Sequence, residues 1–162
     1  GVDHLFLADD DCWPVSHNWA SPYVDHPEPA LCHCWGKKRW DFNTADTSVW
    51  SWPRGVLLYV TREVVDAVGG MRPEFVNAGE HGEWSQRIHA AGLTRYPFQD
   101  ALDAENVWHA CDRGGEVASS LPDDRYTPAA RAARKKLYRR FAGSTDFVPY
   151  RALSSGCAVD TG

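Results

Sequence analysis

Apolar and polar positions along this chain fall into short strand-length runs and helix-length stripes separated by Gly- and Pro-marked breaks. The first run, Leu5, Phe6 and Leu7, stops abruptly at Asp9, Asp10 and Asp11 ahead of Pro14. That pattern predicts a buried strand carrying an acidic cluster at its C-terminal end. Gly55 opens a second continuous apolar run, 55–60, again of strand length. Thr61 then reads as the N-cap of a short helix over Arg62–Val68, with Glu63 in its first turn and Gly69 and Gly70 closing it. In the segment 80–91, Trp84, Ile88 and Ala91 recur at i, i+4 and i+7, Glu83 can pair with Arg87, and Gly92 ends the helix. Residues 94–98 predict a further strand, and 100–108 a loop or strand leading to His109. A last helix starts at Thr127 with Pro128 at its first position and runs through Phe141. Its stripe is Ala130, Ala133, Leu137 and Phe141, with Arg131, Arg134, Lys135 and Arg139 on the remaining faces.

The stretch between the first two strands is irregular, marked by Pro22, Pro27 and Pro29, with a short strand expected at 30–34. Trp35, Trp40, Trp50 and Trp52 fall within eighteen residues of it. Packing beneath a long loop accounts for single tryptophans, while the group also fits a wall for sugar rings, whose C–H faces are apolar and whose rims are polar. The basic helix 128–141 is either a solvated face or a surface for a diphosphate, an acidic acceptor or anionic lipid. After Gly143 no period is evident, so 1–142 reads as one unit and 143–162 as a tail.

Composition narrows the class. A chain of 162 residues, 43% hydrophobic, forms one α/β domain with a real core. The net charge of −5 opposes a nucleic-acid partner, since a phosphate backbone demands a basic face. Five cysteines, an odd number, do not make a disulfide framework, so a reducing, cytoplasmic setting is expected. Cys32, His33 and Cys34, with Cys12, His17 and His26, have a zinc flavour, but a lone C-x-C lacks the paired spacing of zinc sites. Buried thiols and surface imidazoles are the simpler account. The chain begins with Gly and almost directly on a strand, so further upstream sequence is expected.

The acidic cluster carries the strongest chemistry. Side chains alternate along a strand, so Asp9 and Asp11 share one side and Asp10 takes the other. Two carboxylates on one side are reconciled by a hard divalent cation, and Mg2+ or Mn2+ prefers such oxygen ligands. Asp is also common in turns, so an acidic turn after a strand remains the alternative.

In order, FLADDDCWP, PRGVLLYVTREVVDAVGGMRPEF, NAGEHGEWSQRIHAAGL and ENVWHACD resemble the catalytic portion of family 2 glycosyltransferases of GT-A fold, closest in flavour to galactofuranosyltransferase-like members. The resemblance covers about residues 2–112. It implies a partial GT-A, Rossmann-like architecture, a mixed sheet flanked by helices, whose N-terminal nucleotide-binding half is absent from this sequence. It further implies Mn2+ or Mg2+ held by Asp9, Asp11 and His109, and a donor contacted by Asp10, Arg54 and Gly55. The acceptor would meet Trp50, Trp52, Glu83 and Trp84. The implied activity is inverting transfer from a UDP- or GDP-linked sugar to a hydroxyl, the cation neutralising the departing diphosphate.

The chain departs from the family pattern at the base, where Glu-Asp is replaced by Glu80-His81. An imidazole with pKa near ~6.5 suits proton transfer at neutral pH better than a carboxylate near ~4. Glu80 or Glu83 could instead supply the base while His81 orients the acceptor. A second chain is expected to complete the nucleotide site, and helix 128–141 offers peripheral contact with a membrane. Rival classes are a metal-dependent phosphodiester hydrolase and a non-catalytic carbohydrate- or metal-binding module.

Overall fold

The computed structural model describes residues 1–9, 12–32, 41–53, 55–75, 79–102, 104, 107–110 and 127–149. In chain order these form β1 (His4–Ala8), β2 (Cys12–Pro14), α1 (Ser21–Val24), β3 (Ala30–Cys32), β4 (Phe42–Asn43), β5 (Thr47–Val49), β6 (Leu57–Thr61), α2 (Arg62–Val68), a 3₁₀ turn (Pro73–Phe75), α3 (Glu80–Ala90), β7 (Gln99–Ala101), β8 (Trp108–Ala110) and α4 (Pro128–Phe141). The class is mixed α/β. The sheets are small: β1-β6-β3, β2-β8 and β4-β5-β7. Every strand pairing among the described residues is antiparallel, so the mixed, Rossmann-like sheet implied by the resemblance is not seen there.

β6 organises the interior. Its residues Leu57, Leu58, Tyr59 and Val60 are each at most 2% exposed, as a central strand covered on both faces requires. Alternation sends Leu57 and Tyr59 to one core with Tyr23, Leu31 and Trp108, where Phe6 and Trp19 add edge-on rings. Leu58 and Val60 go to the other, against Val64 and Val68 of α2 and Trp84 and Ile88 of α3. Of the predicted stripe Trp84, Ile88 and Ala91, the first two form the face that α3 buries, whereas Ala91 is exposed at the C-cap. Helices lie on one side of the first sheet and a one-turn helix with an aromatic cluster on the other.

Three expectations need correction. The strand placed at 94–98 begins at Gln99 instead. Pro97 has no N–H for a ladder, and the Arg95 N–H is already donated to the Glu28 carboxylate (3.1 Å). On α4 the partly buried positions are Ala130, Arg134, Leu137, Tyr138 and Phe141, whereas Ala133 is exposed. Tyr138 packs edge-on against Phe75 and turns the helix toward itself. Thr61 caps α2 with its backbone only; its hydroxyl makes no capping bond.

Residues 144–148 are not a loose tail. Val148 bridges to Gly69, donating to the Val68 carbonyl (3.0 Å) and accepting from Gly70 (2.8 Å). Gly69 has φ +71°, and a methyl group there would sit 2.0 Å from the Val148 carbonyl oxygen, so only glycine permits this approach. Residues 150–162 lie outside the described residues.

Candidate functional site

The end of β1 is fixed by its backbone. Asp9 donates its N–H to the Val56 carbonyl (2.9 Å) and its own carbonyl accepts from Cys12 (3.1 Å), so the chain turns back at once into β2. The Asp9 residue is exposed. β2 pairs with β8 in the register Cys12↔Ala110 and Trp13↔His109, which brings the backbone of His109 opposite Trp13, four residues after Asp9. Asp10, Asp11 and Arg54 lie outside the described residues, and His109 is described in its backbone only. Among the described residues no three His, Cys, Asp or Glu side chains gather as a cation site. Asp9 at a strand end is an oxygen ligand of the right kind for a hard cation, but the described donor set is incomplete.

One residue along, Gly55 precedes Val56 with φ +96°, and a methyl group there would lie 2.6 Å from Nδ1 of His81. The imidazole therefore rests on the bare backbone of Gly55, which makes this glycine a positioning element for His81. His81 is the second residue of α3, whose N-cap Gly79 takes φ +95°. Its side chain is only 14% exposed, and Nε2 is 4.0 Å from Oε1 of Glu80. Burial pushes the His81 pKa below its ordinary value, against the opposing pull of the Glu80 charge. The imidazole is accordingly neutral near pH 7 and able to accept a proton. Glu80 Oε2 is shielded from solvent and has no hydrogen-bond partner among the described residues.

Glu83 and Trp84 lie elsewhere. Glu83 Oε1 accepts from Nε of both Arg72 and Arg87, each at 2.9 Å, with all three side chains under 10% exposed. Arg87 also donates to the carbonyls of Val68 and Gly70, and Arg72 reaches Ser144 (2.6 Å) and Asp146 (3.1 Å). The Glu83–Arg87 pair read from the spacing is present, but it clamps α3 to the Gly69-Gly70 turn and the 144–148 segment. At 3% exposure, with Oε1 engaged by two guanidiniums, Glu83 is closed to an acceptor hydroxyl. Trp84 is 1% exposed and donates its indole N–H to the Gly69 carbonyl (3.1 Å). Both residues expected at the acceptor thus face the interior, because the apolar stripe of α3 must cover β6.

The Trp pair separates as well. Trp50 is buried beside Phe98, its backbone N–H donated to the Phe98 carbonyl (2.9 Å), whereas Trp52 is 45% exposed and packs edge-on against Tyr138. Trp35 and Trp40 lie outside the described residues. The zinc alternative loses support: both ring nitrogens of His26 are taken, Nδ1 by the Glu28 N–H (3.1 Å) and Nε2 by the Asp46 carbonyl (3.0 Å). Cys12 and Cys32 are buried, and His33 and Cys34 are outside the described residues.

Tyr138 was not singled out by the sequence. Its hydroxyl donates to the Gly79 carbonyl (2.7 Å) and faces Gly82, where a methyl group would lie 2.4 Å from it. The pairing of two glycines three residues apart with a distant Tyr was the only trace, and helix periodicity alone does not expose it. Comparison of the chain with known protein families, curated proteins and solved structures finds no match.

Proposed function

We propose that the chain carries the catalytic portion of a metal-dependent inverting glycosyltransferase of GT-A type, transferring a sugar from a UDP- or GDP-linked donor to a hydroxyl of a glycan. One apposition supports this reading. Asp9 is bonded to Val56, Val56 follows Gly55, and Gly55 carries the His81 ring, so an acidic strand end and a buried neutral base meet across two residues of backbone. Asp9, Asp11 and His109 would hold Mn2+ or Mg2+, whose charge when bound offsets that of the departing diphosphate. The nucleotide-binding wall would come from outside the described strands, in a second chain or further sequence.

His81 would take the proton of the acceptor hydroxyl as its oxygen attacks the anomeric carbon and the bond to phosphate breaks, the electron pair leaving with the nucleoside diphosphate. Glu80 would favour the imidazolium so formed, from 4.0 Å away. One displacement inverts the anomeric centre. Nucleoside diphosphate release from a panel of UDP- and GDP-sugars, with Mn2+ and glycan acceptors, tests the proposal. Turnover abolished by a chelator and lowered ~10²- to 10⁴-fold by His81→Ala supports it. Equal, mild losses for Glu80→Ala and His81→Ala overturn the assignment of the base. Cleavage of a generic phosphodiester instead identifies a hydrolase, and saccharide binding indifferent to chelator without turnover identifies a binding module.

A further inference from the structure

The proton transfer leaves unused a cleft of about 440 Å³ between α4 and the Trp52 loop. Its apolar part is formed by Trp52 and Tyr138, their ring centroids 5.4 Å apart at 65°, with Phe98 supporting the indole from behind at 5.8 Å. With Gln86 and Ala142, the rest is lined by Arg131, Arg134, Lys135 and Arg139. Their spacing of i, i+3, i+4 and i+8 puts them on one face of the helix. Among the described residues, no ion pair includes Arg131, Lys135 or Arg139. These three cations within a little over two turns repel one another, in a chain whose net charge is −5. An anion bound there removes that repulsion. The half-exposed indole offers a flat face to apolar C–H groups, and a sugar bearing phosphate or carboxylate presents both chemistries within one small molecule.

We infer that this cleft is a subsite for an anionic saccharide, its phosphate or carboxylate on the α4 cations and its ring on Trp52. Assigning it to the acceptor rests on the glycosyltransferase reading: Tyr138, which lines the cleft, is bonded to Gly79, the residue before Glu80. Tyr138 thereby ties the cleft to the start of α3, and Gln86 of the same helix lines the cleft. Three of the four cations are exposed, but they border the indole of Trp52, and that pairing of charge with a flat apolar ring favours a saccharide over lipid headgroups.

Calorimetric titration of the full chain with glucose 6-phosphate, glucose and inorganic phosphate tests this, without nucleotide sugar or added cation. Glucose 6-phosphate should bind at least tenfold more tightly than either of the other two. The double variant Lys135→Glu/Arg139→Glu should weaken glucose 6-phosphate at least tenfold, and Trp52→Ala should weaken both sugars. All three positions are exposed, and circular dichroism checks that each variant folds. Glucose 6-phosphate binding no tighter than inorganic phosphate overturns the proposal in favour of a bare anion patch. Binding to phosphatidylglycerol vesicles that is lost in the double variant, without glucose 6-phosphate binding, overturns it in favour of a membrane surface. A failed titration on a chain that turns over nucleotide sugar removes the subsite and leaves the transferase. A successful one on a chain that releases no nucleoside diphosphate keeps the subsite and removes its acceptor role.

Discussion

Gly55→Ala tests the seat of the candidate base most directly. The substitution adds one methyl group at φ +96°, where it would stand 2.6 Å from Nδ1 of His81. Backbone strain at such a φ costs on the order of 1–3 kcal/mol, and overpacking a filled site typically adds ~1–3 kcal/mol. The combined loss expected in urea denaturation is therefore about 2–6 kcal/mol. Only the second part depends on the imidazole. In a His81→Ala background the methyl has room, so its cost should fall to the backbone part alone, leaving a coupling of at least ~1 kcal/mol in the double-mutant cycle. The ring must also yield to reach ordinary contact, and a catalytic group displaced by about 1 Å can lose ~10²-fold in rate. Nucleoside diphosphate release by Gly55→Ala should fall accordingly. Additivity of the two substitutions within ~0.3–0.5 kcal/mol would show that His81 does not rest on Gly55 and would remove the apposition that supports the function.

Glu83→Gln should destabilise the fold by about 3–5 kcal/mol, since it leaves buried Arg87 without a carboxylate and Arg72 with only the exposed Asp146; a urea midpoint within error of the parent would refute the clamp. Trp50→Ala should cost ~3–5 kcal/mol as a core truncation, whereas Trp52→Ala should change thermal stability little; reversed sensitivities would mean the two rings have been assigned to the wrong sides of the loop. The acid limb of kcat/KM should lie below ~6.5, the ordinary imidazole value, because burial lowers the His81 pKa; a limb above it would contradict the site's electrostatics. Burial disfavours ionised Glu28, but hydrogen bonds from Gln99 and Arg95, with the Arg95 charge, hold its carboxyl below the ordinary value. Its contribution is therefore full above the unfolded carboxylate pKa, about 4.3, and lost as pH falls through the lower folded value; Glu28→Gln should flatten that acid slope in denaturation measured from pH 6 to 2.

What the sequence disclosed was local. β1, β6, α2, α3 and α4 were all legible because each is announced by its own signal: an apolar run, a helical period, or Pro and Gly at the ends. The misplaced strand at 94–98 shows where local signals end, for its Arg95 N–H is claimed by Glu28, sixty-seven residues away. Glu83 shows the same limit in chemistry. Next to Glu80 in a family-like motif it read as a site residue, and its i+4 partner Arg87 was visible. The second guanidinium, Arg72, arrives by tertiary packing and turns that carboxylate into a structural anchor. The antiparallel pairing of the first sheet was likewise beyond reach, because strand direction is decided by connections rather than by the composition of each strand.

The dependence of the site on tertiary packing has a mechanical consequence. α3 is anchored toward its C-terminal end by the Arg87 clamp and the Trp84 indole, and at its N-terminal end by the Tyr138 hydroxyl on Gly79 and by Gly55 beneath His81. The first pair of anchors serves stability, while the second sets where Glu80 and His81 stand. Tyr138→Phe removes only the hydroxyl and leaves the ring against Phe75 and Trp52. It should cost about 0.5–1.5 kcal/mol, the net worth of one hydrogen bond, because the Gly79 carbonyl keeps the Glu83 N–H (2.9 Å) as a donor. Its effect on catalysis should be larger than that, lowering kcat with KM for the donor unchanged, since the lost bond orients the helix start rather than the nucleotide. Matched losses in stability and turnover would make Tyr138 a packing residue; a selective loss in kcat would make it the link between the cleft and the base.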